Sequence, residues 1–245
     1  MSRDFFVHIN EENHQHFRDI ESYFKRSYRF DTTSVCEDTL KLDRPKLNNL
    51  TSSGINSCVI KVLEMDTLDT AKIILAETRN KFLVLNMASD FVPGGGYRKG
   101  SLAQEESLFY RTTLSQMIDP KLYPLQPFTA LFTPQVLVFR DSNYNVLDYE
   151  KCFSIDVLSM AAVRYNKPSD VVVMEQKIHG LCRAARYLGY DSVLLGAFGC
   201  GAFHNDPVTT AKQFKTILPQ YGFTRVYFAI VGKNNNYKTF KQILE

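Results

Sequence analysis

The chain has no tryptophan, no Cys-x-x-Cys pair, little net charge and no run approaching the ~20 apolar residues of a membrane span. Each shortage excludes something. Five cysteines, Cys36, Cys58, Cys152, Cys182 and Cys200, are odd in number and widely spaced, with no His cluster near them. They read as reduced thiols of a cytosolic or nuclear protein, not as a disulfide framework or a zinc site. Met1 to Glu12 is polar rather than a basic segment followed by an apolar one, so neither secretion nor a membrane is expected. A formal charge of +3, from 29 Lys+Arg against 26 Asp+Glu spread along the chain, lacks the basic blocks of an electrostatic binder of duplex DNA.

What is present is ample for a core. The 245 residues are 44% hydrophobic, with 18 Phe and 13 Tyr, enough for one large α/β domain or two small ones. Residues 1–53 differ from the rest. Glu11 to Arg26 carries Phe17, Ile20 and Phe24 on one helical face, and Ser27 to Ser53 is polar and punctuated by Asp43-Arg44-Pro45, an irregular connection. We expect an accessory N-terminal helical segment, 1–53, and a main domain, 54–245. In the latter, strands at Cys58 to Leu63, Phe82 to Leu85, Val136 to Phe139, Phe153 to Leu158, Val193 to Leu195 and Val226 to Val231 alternate with helices. Those helices are Thr67 to Arg79, capped by Asp66 or Thr67, then Leu102 to Leu114, Asp170 to Leu188, Pro207 to Leu218 and Asn236 to Leu244. This alternation predicts a three-layer α/β fold with a mixed, mostly parallel central sheet flanked by helices.

Ligands in such sheets sit at the carboxyl ends of the strands, and two glycine-rich loops follow short apolar strands. The first runs from Asn86 through Pro93, Gly94, Gly95 and Gly96 to Gln104, Glu105 and Glu106. Three glycines let the backbone approach a ligand and expose its N–H groups, and the next helix adds its positive N-terminus, a combination suited to a phosphate or diphosphate. The plainer reading is a flexible turn. Neither loop carries the P-loop or dinucleotide fingerprint. Glu106 shares a helical face with Leu102, Phe109 and Tyr110, and Glu105 with Ser101, Leu108 and Thr112. If the Leu102/Phe109 stripe is buried, Glu106 loses solvent, holds its proton more tightly and suits general acid catalysis. The competing reading is a pair of acids complementing the helix dipole.

The second loop, Gly196 to Phe203 with His204, Asn205 and Asp206 behind it, offers small residues and backbone donors, with Phe198 and Phe203 available to pack on a ribose or base. A Cys200 nucleophile with His204 as base is the alternative, weakened because catalytic Cys/His partners are usually brought together by the fold and not by a four-residue gap. His179, on the long helix, reads as structural or surface.

The triple glycine, seven intervening residues and Gln104-Glu105-Glu106 resemble the signature of microbial-type poly(ADP-ribose) glycohydrolases, a macrodomain family. Gly196-Ala197-Phe198-Gly199-Cys200-Gly201-Ala202-Phe203 resembles the same family's second loop, and Asp66-Thr67-Leu68 and Val136 to Asp141 add to the likeness, which covers roughly Ser57 to Val231. The resemblance implies cleavage of the ribose–ribose O-glycosidic bond of poly(ADP-ribose), releasing ADP-ribose without metal or other cofactor. It further implies Glu106 as the catalytic acid, Glu105 on the ribose at the scissile bond, and Gly94, Gly95 and Gly96 along the diphosphate. Asp66 falls at the adenine end, Asn86 near a ribose and Phe203 against the terminal ribose, with Gln104, Gly199, Cys200, Gly201 and Ala202 also lining the substrate. His204 stands where the family commonly has glycine, which puts that loop's conformation in question, and Tyr97-Arg98-Lys99 is a more basic approach than many members carry. Two alternatives remain open at this point: a hydrolase of mono-ADP-ribosylated protein, ubiquitin or nucleic acid, and a reader that binds ADP-ribose without cleaving it. The intact Gln-Glu-Glu argues against the reader. A monomer is expected.

Overall fold

A computed structural model describes residues 28–31, 58–78, 80–232 and 235–245. The helix expected over Glu11 to Arg26 and Cys36 lie outside these residues. Within the connection expected to be irregular, Tyr28–Asp31 forms a strand, β1, where an aromatic/polar alternation favours extended backbone. The chain divides into two compact units.

The first unit holds most of β1, residues 65–79 and residues 84–161. Helix α1 (Thr67–Thr78) buries Leu68, Ala71 and Ile74, and its cap is Asp66, whose Oδ1 accepts from the N–H groups of Leu68 at 2.8 Å and Asp69 at 3.2 Å. Strand β3 (Leu83–Met87) is buried and runs into the first glycine loop. Then come α2 (Gln104–Arg111), the single turn α3 (Leu114–Met117), β4 (Thr129–Val138) and β5 (Phe153–Met160). The strands lie in the order β1-β4-β5-β3, and β4 and β5 are antiparallel, Ala130 opposite Met160 and Val138 opposite Phe153.

Two boundaries differ from expectation for physical reasons. The helix predicted to reach Leu114 stops at Arg111, because Thr112 turns extended and bridges Val138 while Thr113 N–H donates to Leu137 O at 3.0 Å. Backbone pairing with β4 thus outcompetes one more helical turn of β-branched residues. Strand β4 begins seven residues earlier than predicted, since Pro134, which argues against a strand in sequence, sits at an irregularity between Thr133 and Val136. There Gln135 takes φ 57° and its N–H donates to Asp156 Oδ1 at 2.8 Å.

The second unit holds β2 (Val59–Leu63), α4 (Asp170–Tyr187), β6 (Ser192–Leu195), α5 (Pro207–Ile217), β7 (Arg225–Ala229) and α6 (Asn236–Leu244). Its strands run β6-β7-β2, all parallel, with Ser192 and Val59 both in register with Arg225. Helix α4 buries Ile178, Leu181, Cys182 and Ala185 as the periodicity predicts. Phe214, Phe228 and Phe240 pack α5, β7 and α6 together at centroid distances of 5.2, 5.6 and 6.4 Å. Parallel pairs in one unit and an antiparallel pair in the other give the mixed sheet with flanking helices read from the sequence. Among the described residues no helix is long and apolar enough to cross a membrane.

Candidate active site

The first glycine loop and the start of α2 close on each other through the two glutamates. Glu105 accepts from Ser89 N–H at Oε2, 2.7 Å, and from Gly94 N–H at Oε1, 3.0 Å. Glu106 accepts from Gly96 N–H at Oε1, 2.9 Å, and reaches back to Ala103 N–H with Oε2 at 3.0 Å, closing the helix N-terminus. Gly95 N–H donates to Val92 O at 3.2 Å. The glycine N–H groups, expected to be exposed to a ligand, are therefore committed within the protein, two of them to the carboxyls. What requires glycine is conformation and space. Gly94 and Gly95 take φ 75° and 53°, and a Cβ on Gly94 would run into the rings of Phe109 and Tyr97. The Tyr110 hydroxyl donates to Tyr97 O, tying the turn after the glycines to α2.

The division between the glutamates also differs from expectation. Both are buried, at 4% exposure for Glu105 and 8% for Glu106, while Leu102 lies before the helix at 59%. The predicted Leu102–Glu106–Phe109 stripe is therefore not a continuous buried face. Desolvation acts most clearly on Glu105, whose pKa is pushed up to about 8 by burial, with a smaller push from the Glu106 charge, against hydrogen bonds from Ser89, Gly94 and Asn86.

Gln104 is placed differently from its neighbours. Its Oε1 accepts from Met87 N–H at 2.9 Å, and its Nε2 donates to Leu85 O at 2.6 Å and to Thr67 Oγ1 at 3.4 Å. The carboxamide thus pairs with β3 as another strand would, on both peptides flanking Asn86, and fixes where α2 begins. Asn86 is fully buried, donates from Nδ2 to Ser159 Oγ at 3.0 Å and leaves Oδ1 without a partner. Asp66 is held by Arg111, a buried residue of α2 whose guanidinium meets Asp66 Oδ1 at 2.7 Å and Asp69 Oδ1 at 3.1 Å. Thus the structure brings together Asn86, Gly94, Gly95, Gly96, Gln104, Glu105 and Glu106, with Asp66 joined through Arg111.

The second loop is braced within its own unit. Asn205 Nδ2 donates to Val163 O at 2.7 Å and Gly199 O at 3.1 Å, and Arg164 donates to Ala202 O at 2.8 Å while lying 4.6 Å over the Phe203 ring. Gly199 takes φ 76°, and a Cβ there would stand 2.9 Å from that of Ala162. Gly201 and Ala202 are exposed and Phe203 half-buried. Phe198, offered as a packing surface for a ligand, is instead wholly buried in the core. His204 adopts φ 59°, the conformation glycine would take without strain. Burial pushes the Cys200 thiol up to about 12, so it is protonated at neutral pH and unsuited to nucleophilic attack. His179 pairs through Nδ1 with the Tyr221 hydroxyl at 2.8 Å, a structural role. Among the described residues no group of three or more His, Cys, Asp or Glu could hold a metal ion.

The sequence did not single out Ser89, Arg111, Ser159 or Arg164. Arg111 stands five residues beyond Glu106, and its acidic partners, Asp66 and Asp69, come from the start of α1.

Residues 7–141 match the family described as the microbial-type PARG catalytic domain. The chain belongs to that family. The match takes in the triple glycine and Gln104 to Glu106 and extends into the N-terminal segment; it ends before the second loop. Solved PARG structures show the same fold. Poly(ADP-ribose) glycohydrolase from Thermomonospora curvata aligns at TM-score 0.79 and 23% identity over 98% of this chain and 99% of its own. Its complex with the inhibitor ADP-HPD aligns at 0.77 over the same shares, again at 23% identity. The enzyme from Deinococcus radiodurans in complex with ADP-ribose aligns at 0.74 and 22% identity, over 92% of this chain and 97% of that one. No curated protein sequence matches.

Proposed function

We propose that this PARG-family chain hydrolyses the ribose–ribose O-glycosidic bond of poly(ADP-ribose) and releases ADP-ribose, with Glu106 as general acid and Glu105 holding the ribose at the scissile bond. The observation that carries this reading is the burial of both Gln-Glu-Glu carboxyls against the triple glycine, where burial raises the pKa of Glu105. A carboxyl buried in this way holds its proton more tightly. The diphosphate of a bound substrate adds negative charge and holds it more firmly.

Cleavage through an oxocarbenium-like transition state requires protonation of the leaving ribose oxygen. Glu106 gives its proton to that oxygen as the C–O bond breaks. Water oriented by the substrate's own diphosphate adds to the anomeric carbon, and its proton returns to the Glu106 carboxylate. The backbone of Gly94, Gly95 and Gly96 lines the diphosphate, and Arg98 and Lys99 are exposed on the following turn. Asp66, fixed by Arg111, receives the adenine end, and Asn86 lies toward a ribose. Gly199, Cys200, Gly201, Ala202 and Phe203 contribute the second loop's contacts, Phe203 against the terminal ribose. We place Gln104 in the support of α2.

The test is incubation of the full chain with poly(ADP-ribose) and, in parallel, a mono-ADP-ribosylated protein. Release of ADP-ribose from the polymer, retained in Cys200→Ala, is expected. Binding of ADP-ribose without turnover of either substrate would overturn the reading.

A further inference from the structure

Two residues that act on Glu105 each carry a buried polar atom without a hydrogen-bond partner: Asn86 its Oδ1 and Tyr123 its hydroxyl. Tyr123 comes from the segment before β4, whose neighbour Leu125 donates its N–H to Asp90 O at 2.8 Å and so anchors it to the first glycine loop. Its proximity to Glu105 is felt electrostatically: burial, then the Glu105 charge, raises the Tyr123 pKa, and the phenol stays protonated. A buried hydroxyl without a partner costs about 1–3 kcal/mol, so a fold keeps one only where something else repays it.

The chemistry around it says what that is. Glu105 and Asn86 Oδ1 are acceptors, and Tyr123 supplies a hydroxyl that both donates and accepts. A phosphate ester that is acceptor-only offers no hydrogen to the first two. A sugar hydroxyl fits the set, giving its one proton to either the carboxyl or the carboxamide oxygen and accepting one from the phenol. We propose that Tyr123 is a substrate contact, donating its phenolic hydrogen to a hydroxyl of the ribose held at Glu105. This rests on the glycohydrolase reading and adds a residue to it.

Tyr123→Phe removes the oxygen alone. Because that oxygen makes no bond in the free protein, its loss leaves the melting temperature unchanged or slightly raised. Affinity for ADP-ribose, measured by calorimetry, falls about tenfold, the equivalent of one hydrogen bond. Affinity for ADP, which lacks the distal ribose, stays at the wild-type value, and kcat/KM on poly(ADP-ribose) falls with ADP-ribose affinity. Equal ADP-ribose affinity in variant and wild type would overturn the proposal, as would equal losses for ADP and ADP-ribose, or a melting temperature several degrees lower. A wild-type chain that binds no ADP-ribose would overturn the glycohydrolase reading itself, and Tyr123's role with it.

Discussion

Gly95 lies directly against Glu106: a Cβ placed on the glycine would stand 2.8 Å from Glu106 Oε1 and 3.1 Å from Glu105 Oε2. The loop and the carboxyls are therefore one unit, and the glycine's missing side chain is the space that the acids occupy. Gly95→Ala should push both carboxyls off their present positions and strain a residue held at φ 53°. A displacement near 1 Å at reacting groups costs on the order of 10²-fold in rate, and the left-handed backbone adds about 1 kcal/mol of destabilisation. Steady-state kinetics and a urea melt check the two effects separately; wild-type turnover would show that the contact does not govern the acids.

Glu105 makes stability depend on pH. Its folded pKa, about 8, lies above its ordinary 4.5, so between those values the folded state binds more protons than the unfolded one, and stability falls as pH rises through that window. Glu105→Gln, which cannot ionise, should flatten that fall. The check is a series of chemical melts from acid to mildly alkaline pH on both proteins, and parallel curves would contradict the desolvated carboxyl.

His204 occupies a glycine conformation at φ 59° in the second loop. His204→Gly should relieve about 1 kcal/mol of backbone strain, offset in part by the greater freedom of glycine in the unfolded chain. Thermal melting should show a small net gain or no loss; a clear loss would mean that the imidazole makes a contact that outweighs the strain.

These particulars also show which features a sequence can carry. The alternation of strands and helices, the Asp66 cap, the buried face of α4 and the association of triple glycine with Gln-Glu-Glu were all legible, because each is set by residues close in the chain. Opposite outcomes share a cause too. Pro134 hid the first half of β4 because a β-bulge that accommodates it depends on Asp156 far along the chain, and the helical face drawn through Leu102 and Glu106 failed because the helix starts two residues after Leu102. The glycine N–H groups looked available for a ligand only while their acceptors, the glutamates ten and eleven residues on, were out of sight. Arg111 and Tyr123 were illegible for the same reason: their partners come from other elements.

Glu106 as the group that delivers the proton to the leaving ribose oxygen is the proposal on which the mechanism turns. It is tested most directly by the rate of ADP-ribose release from poly(ADP-ribose) by Glu106→Gln beside the wild type, with ADP-ribose binding measured on both. Retained binding is expected, with a rate lower by ~10²–10⁴-fold, the usual worth of a positioned general acid. Release at the wild-type rate would contradict it.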